Sequence, residues 1–411
     1  MIDPLAPMGS AGIVLPSIGP AQAEDLAAHL AHYGPMPMSS PADVALIEAS
    51  GLRGRGGAGF PTGVKWHAVA ARAAGRGVVL VNGVEADPSS EKDRMLLTYR
   101  PHLVLDGAIM AARAVGASEV VVAVNRQAVD AHQAIRAAIP ERRERLAIDL
   151  IDAPSRYVAG EETALVHFVN GGPARPTVTP PRPFDRGVRG RPTLVQNAET
   201  LAWAALIARH GDGWFRELGS SAAPGAMMVT VRGAVAQPGV YELSAAATVE
   251  DALAAAGDGG ATTLLLGGYF GHWVDRARAR PLQEVNAGVL IALPPSSCGL
   301  TETARIMSFL AGESARQCGP CFNGLPALSS AIAKVATGRA KPVEVERLRR
   351  WTGQLSGHRG ACHHPDGAVA LLRSALDTFA GDLSAHLQRG ACRGSQSPSV
   401  LPAAKVQDGW R

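Results

Sequence analysis

Residues 51–66 read GLRGRGGAGFPTGVKW, with six glycines in the first thirteen positions and Lys65 near the end. A chain that gives up so many side chains in one stretch brings its backbone close to something. Gly54, Arg55, Gly56, Gly57, Ala58 and Gly59 formally match G-x-G-x-x-G, but the dinucleotide fingerprint requires a strand before it. The preceding PADVALIEASG has helical spacing instead and ends on Gly51 as a C-terminal cap. A Walker A loop is excluded too, because Phe60 follows Gly59 where lysine is needed. One reading is a flexible surface turn. The ends of the segment favour another: Pro61 suits the first turn of a helix, and Lys65 lies about one turn further on. Free N–H groups, a helix N-terminus and a lysine together make a site for phosphate or for a planar ring.

Beyond the loop, strand and helix patterns alternate. GVVLVNG (77–83) is a short apolar strand, RPHLVLDGAIMAARAVGA (100–117) is helical, SEVVVAVN (118–125) is a strand, AVDAHQAIRAAI (128–139) is helical and LAIDLI (146–151) is a strand. That order predicts an α/β fold with a parallel sheet and crossover helices. EETALVHFVN (161–170) adds a helix, and a Pro/Arg-rich loop from Gly171 to Thr193 leads to the helix NAETLAWAALIARHG (197–211). Near Ala222 the pattern changes. MMVTVRGAVAQPGVYEL (227–243) reads as two strands around a Gln-Pro-Gly turn, followed by the helix TVEDALAAAG and the strands TTLLLGG and GVLIAL. From Leu300 four helical segments suggest a small bundle, the last being DGAVALLRSALDTFAGDL (366–383). The division is an irregular arm over 1–40, an α/β domain over 41–221, a β-rich module over 222–298, a helical domain over 299–388 and a disordered tail over 389–411.

Composition excludes several classes. At 411 residues the chain is too long for one core, and 46% hydrophobic with 18% charged residues is globular. No apolar run reaches the ~20 residues of a membrane helix. The first Lys or Arg is Arg53, so no basic leader is read and the cytoplasm is expected. A net charge of +4 without a lysine-rich block gives no reason to expect nucleic acid. Five cysteines read as metal ligands, redox thiols or core residues rather than a disulfide framework.

Four stretches, GLRGRGGAGFPTGVKW, NGVEADPSSEKDR, YVAGEETAL and GRPTLVQNAET, resemble in order and spacing the flavin-carrying NADH dehydrogenase subunit of respiratory complex I. The diaphorase subunits of soluble NAD-linked hydrogenases and formate dehydrogenases share the pattern. The resemblance implies an FMN domain, a β-grasp-like ligand-binding module and a helical iron–sulfur domain. It implies FMN in a cleft lined by Gly54, Arg55, Gly56, Gly57, Ala58, Gly59, Lys65 and Asn82, with Tyr157, Gly160, Glu161 and Glu162 in one wall. By the same resemblance Glu85 and Asp87 lie beside the flavin, Asn197 and Thr200 hold the ribityl phosphate, and Phe60 stacks on the nicotinamide nucleotide. Read alone, Glu161 and Glu162 are first-turn dipole partners and Tyr157 a core aromatic.

The chain also departs from that family. Val84 stands where the family usually has Asp, Asp87 where it has Glu, Ala68 where it has a second aromatic, and Thr179 where it has lysine. Arg175, Arg182, Arg186, Arg189 and Arg191 crowd the same loop as Thr179. Cys318-Gly-Pro-Cys321 is open to three readings: a thioredoxin-like pair, a Cys₃His zinc site with Cys362 and His363 or His364, or an iron–sulfur site. The family's E-S-C-x-x-C-x-x-C appears here as ESARQCGPC, with Ala315 at the first cysteine position. Three thiolates remain for a [4Fe–4S] or [3Fe–4S] cluster. Cys298, at the far end of the helix that precedes Ala315, is a poor substitute. The expected function is electron transfer from NADH or NADPH through FMN and the cluster to a protein acceptor such as a small [2Fe–2S] protein, with no side chain acting as nucleophile. A non-catalytic assembly subunit and a zinc-stabilised binding protein are the alternatives.

Overall fold

The computed structural model describes residues 14, 23–278, 281–402 and 408–411. Helices α1 (Leu26–Tyr33) and α2 (Asp43–Ser50) precede the glycine stretch, and α3 (Thr62–Ala73) follows it. α2 ends as its sequence indicates, with Gly51 at φ 71°. A Cβ on Gly63 would lie 2.6 Å from the Glu48 Cα, so this glycine lets α3 press against α2. Two of the six glycines thus serve the helix pair.

Strand β1 (Gly77–Gly83), helices α4 (Lys92–Tyr99) and α5 (Pro101–Val115), β2 (Ala117–Asn125), α6 (Val129–Glu141) and β3 (Ala147–Ala153) come next. They are followed by α7 (Glu162–Val169), β4 (Thr193–Asn197), α8 (Ala198–His210) and α9 (Asp212–Glu217). The four strands form a parallel sheet in the order β3-β2-β1-β4. Alternation along β1 divides its apolar side chains between two cores. Val79 and Val81 face the cluster built from α3, α5 and α8, whereas Val78 and Leu80 face Leu165, Val166 and Ala159. Burial on both faces explains the unbroken apolar run. β4 is an addition to the elements expected from the sequence, because TLVQN runs without a break into the cap of α8.

The second module contains β5 (Ala226–Gly233), β6 (Gly239–Ser244), α10 (Val249–Ala255), β7 (Thr263–Leu266), β8 (His272–Asp275) and β9 (Val289–Leu293). Its sheet order is β6-β5-β9-β7-β8, with β5 and β9 parallel. One sheet face packs on α10; the other contributes Leu265, Val289 and Ile291 to the core of the helical domain. The four-residue strand β8 is a second strand beyond those expected.

The helical domain is α11 (Gly299–Gly312), α12 (Leu325–Ala336), α13 (Pro342–Leu355), α14 (His364–Thr378) and α15 (Ala380–Arg389). The stretch expected as one helix over 366–383 is two. They part at Phe379, whose ring packs against Trp273 at 5.3 Å and closes over Gly299. The expectation of a disordered tail is corrected for the residues described. Ser397 Oγ donates to the Ser296 carbonyl at 2.7 Å, and Ser399 Oγ donates to Glu302 at 2.9 Å. Further on, the Ala174 N–H donates to the Trp410 carbonyl at 2.7 Å, while Arg156 and Arg175 stack on the Trp410 ring. Among the described residues no helix is long and apolar enough to cross a membrane.

Candidate functional site

The glycine loop rests on the N-terminus of α8. At its base the Gly54 N–H donates to the Phe60 carbonyl (2.8 Å) and the Arg55 N–H to Thr200 Oγ1 (2.9 Å). A Cβ on Gly56 would touch the Asn197 side chain at 3.4 Å, so the loop lies directly on the cap of α8. Asn197 Oδ1 accepts the Thr200 N–H at 3.3 Å, and its Nδ2 donates to Asp93 at 2.7 Å. Asn197 and Thr200 are therefore the floor that supports the loop. Gly57 and Gly59, at φ 106° and 59°, turn the tip in a conformation that L side chains rarely adopt. The N–H groups of Gly56, Gly57 and Ala58 meet no backbone acceptor among the described residues.

Beneath this floor lies a charge network whose members look unremarkable in the sequence. Lys92, 3% exposed at its side chain, is 2.9 Å from Asp93 and 3.0 Å from Glu199. Arg55 approaches Glu199 at 4.0 Å and donates to the Ala226 carbonyl at 2.8 Å. Its guanidinium is thus tied to the second module, and Arg55 lines the cleft between that module and the loop. Burial opposes the Lys92 charge, but Asp93, Glu199 and Glu85 outweigh it and raise its pKa. Glu85 is committed as well, accepting the N–H groups of Asp93 (3.1 Å) and Arg94 (2.9 Å) at the start of α4. Lys92 and Asp93 lie inside one of the four family motifs, yet consecutive charges there resemble a solvated helix face.

Opposite the loop, Lys65 in the first turn of α3 reaches Glu162 in the first turn of α7, Nζ to Oε2 3.0 Å, with side chains 25% and 30% exposed. Glu161 caps α7 by accepting the Thr163 and Ala164 N–H groups at 3.0 and 2.9 Å. Asn82 Nδ2 donates to the Gly160 carbonyl at 2.8 Å, tying the end of β1 to the same wall. A Cβ on Gly160 would lie 3.0 Å from the Val84 carbonyl oxygen. The Val84 side chain belongs to the core under the sheet, so the missing carboxylate is replaced by packing. Phe60 stands out, 51% exposed. The uncommitted N–H groups at the loop tip and the Lys65 ammonium fit a flavin nucleotide in type, whereas the missing Gly160 side chain makes room for the Val84 carbonyl. Arg189 and Arg191 of the neighbouring loop pair with Glu119, and Arg175 stacks on Trp410; Arg182 and Arg186 are exposed.

Three parts of the molecule meet at Tyr157. Its N–H donates to Glu313 (2.7 Å), its hydroxyl to Asp87 (3.3 Å), and its ring lies edge-on to Phe270, Phe309 and His364 at 4.7, 5.7 and 5.9 Å. Asp87 also accepts the Tyr269 N–H at 2.7 Å. Burial raises the Asp87 pKa, and burial followed by the Asp87 charge raises that of Tyr157. Asp87 and Tyr157 thus clamp the domains together at the wall of the candidate cleft.

Beyond this junction lie the cysteines. Cys318 and Cys321 flank the entry to a wide helical turn, Pro320–Gly324, that runs into α12. Burial pushes the Cys321 thiol up to about 12, and Cys318 and Cys362 add to the shift. The Cys362 thiol rises to about 11 through burial, with Glu161, Cys318 and Asp366 contributing. Thiols whose thiolate forms would repel one another fit a cationic group in type, and the buried Ala315 leaves the set one ligand short. His364, two residues on, has Nε2 on the Leu310 carbonyl at 2.8 Å. His363 stacks edge-on against His358 at 5.0 Å. Among the described residues the sets that close to the spacing of a single ion are Cys298–His386–Cys392 and His358–His363–Asp366. The Cys₃His zinc reading at Cys318 loses its support. A thioredoxin-like setting is also excluded, since α11 and a loop precede the pair.

Comparison with known proteins gives the same three parts. A model of the Nuo51 FMN-binding domain matches residues 47–205, one of the SLBB domain matches 228–262, and one of the NADH-ubiquinone oxidoreductase-F iron-sulfur binding region matches 301–386. The NADH-quinone oxidoreductase F subunit numbered 2 in Rhizobium meliloti (strain 1021) is 30% identical over 378 residues, 85% of this chain and 89% of that protein. The NADH-quinone oxidoreductase F subunit of Mycobacterium tuberculosis (strain ATCC 25618 / H37Rv) is 29% identical over 401 residues, 88% of each chain. The structure of an NAD+-reducing [NiFe]-hydrogenase in the H2-reduced state is similar with a TM-score of 0.80 and 31% identity. That match covers 85% of this chain and 63% of the hydrogenase chain.

Proposed function

This chain belongs to the family of the NADH-quinone oxidoreductase F subunits, and we propose that it oxidises NADH at FMN and passes the electrons through an iron–sulfur cluster to a protein partner. The observation that carries this reading is the adjacency of its two sites. The wall bearing Glu161, Glu162 and Tyr157 touches the cysteine segment directly, since the Tyr157 ring lies 5.9 Å from that of His364, two residues beyond Cys362. FMN, when bound, supplies the conversion between a hydride and single electrons.

The chain's own groups have assignable tasks. The N–H groups of Gly56, Gly57 and Ala58 and the Lys65 ammonium bind an anionic nucleotide, as backbone donors and lysine do in phosphate sites. Phe60 offers an exposed ring for stacking. Cys318, Cys321 and Cys362 hold the cluster, Ala315 leaving one corner to a non-cysteine ligand. The electron acceptor is read as a small [2Fe–2S] protein, and the cytoplasm as the compartment in which NADH is met. A second reading, a non-catalytic assembly subunit, draws on Val84 and Ala315.

Lys65→Met tests the flavin site without endangering the fold, because its ion pair with Glu162 is partly exposed and stabilises by at most about 1 kcal/mol. Loss of a hydrogen bond to a charged ligand should weaken FMN binding by about 1.5–3 kcal/mol, tenfold or more. Titration of apoprotein with FMN, followed by quenching of flavin fluorescence, reads this directly. Equal affinity in the variant and the parent would remove Lys65 from the site; no FMN binding by the parent would favour the assembly reading.

A further inference from the structure

Away from both sites, the C-terminal segment returns to the start of α11 and places three metal-ligating side chains together. Cys298 caps α11, His386 lies in the last turn of α15, and Cys392 directly precedes a helical turn over Arg393–Gln396. Their ligand atoms all lie within 4.8 Å of one another, with Cys298 4% and His386 1% exposed. We propose that Cys298, His386 and Cys392 bind one zinc ion, separate from the iron–sulfur cluster, that fastens the C-terminal segment to the helical domain.

Geometry and orientation both support this. A tetrahedral zinc ion, with bonds of ~2.3 Å to sulfur and ~2.05 Å to nitrogen, holds those two atoms about 3.6 Å apart. Cys298 Sγ and His386 Nε2 are 3.7 Å apart. His386 Nδ1 meets the Val335 carbonyl at 3.0 Å and must donate to it, which leaves Nε2 as the bare nitrogen facing the thiols. The outer hydrogen bond of a metal-bound histidine has this form. The Cys392 N–H donates to Nε2 at 3.2 Å, in keeping with that tautomer; an entering ion would replace that donor. Ser395 Oγ lies 3.6 Å from Cys392 Sγ. Two thiols and one imidazole this close suit a single thiophilic ion, whereas a cubane spreads its ligands over separate corners.

The test is independent of flavin and cluster because zinc and iron are counted separately. Full-length protein is purified anaerobically under reductant, and zinc and iron are measured in parent, Cys392→Ser, Cys298→Ala and Cys318→Ser/Cys321→Ser chains. About one zinc per chain is expected in the parent and in the Cys318/Cys321 double variant. Less than about a tenth of that should remain in Cys392→Ser, with iron unchanged. Cobalt(II) added to metal-free parent should give sulfur-to-metal absorption that Cys392→Ser lacks. Cys392 is half-buried near the chain end, so its variant keeps the core intact, and circular dichroism verifies this. Zinc that follows Cys318 and Cys321, a Cys298–Cys392 disulfide under reductant, or a parent that takes up neither metal would each overturn the proposal.

Discussion

Replacing Lys92 by Met should loosen the floor of the glycine loop from beneath. The ammonium is the cation closest to Asp93 (2.9 Å) and Glu199 (3.0 Å), and Arg55 offers a second only at 4.0 Å. Methionine fills a similar volume, so the change is mainly electrostatic: it leaves buried carboxylates without their partner. Breaking a buried pair in this way costs about 3–5 kcal/mol. Asp93 holds Asn197 and the Glu199 N–H, and Thr200 holds the Arg55 N–H, so the loss should spread to the start of α8 and the base of the loop. Because the chain has several domains, a single unfolding free energy is a poor readout. Hydrogen exchange at the Arg55 and Glu199 amides is local and direct. Protection there should fall by about 10²- to 10⁴-fold, while amides of α12 and α14 keep theirs. The double variant Lys92→Met/Asp93→Asn, which removes a carboxylate along with the cation, should recover at least half of the loss. Protection within about threefold of the parent in Lys92→Met would show that the loop floor does not depend on this charge.

Three further outcomes are expected. Asp106 is buried between His29 (2.8 Å), Arg142 and Arg209; burial raises its pKa, but these partners outweigh it and hold it at about 2. The unfolded chain then binds the proton first, so stability should fall by about 2 kcal/mol as pH drops from about 4 to about 2; Asp106→Asn should flatten that limb of an acid titration followed by circular dichroism. Ala315→Cys should increase the iron retained per chain after exposure to air, and unchanged retention would show that Ala315 does not stand at a cluster corner. Ala68→Phe with Thr179→Lys should lower the KM for NADH in dye reduction by about tenfold to a hundredfold, from a stacking partner and a phosphate contact together; an unchanged KM would place the nucleotide elsewhere.

Residues whose task is local were legible in the sequence. Gly51 announced a helix end, and GVVLVNG and SEVVVAVN announced buried parallel strands. Elements whose identity depends on distant partners were not. TLVQN is a strand only because β1 lies beside it, and HWVD only because β7 does. Phe379 divides two helices because Trp273 and Gly299 meet it from outside. Lys92 looks like a surface charge until Glu199, over a hundred positions later, closes on it. Cys298 and His386 are separated by 88 positions, and their meeting depends on how the bundle folds back. The glycine stretch shows both kinds of information: Gly51 and Gly63 shape the helix pair, and the loop tip alone is left for a ligand.

If flavin and cluster form one electron path, anaerobic titration of the purified full-length chain with NADH should reveal both ends of it. Before NADH is added, two flavin bands, in the blue and near ultraviolet, are expected over a broad brown shoulder. NADH should bleach the bands, and a reduced-cluster signal should then appear in electron paramagnetic resonance and be lost in Cys362→Ala. A chain that carries or takes up no flavin, or whose flavin and cluster are unchanged by NADH and NADPH alike, would contradict that path.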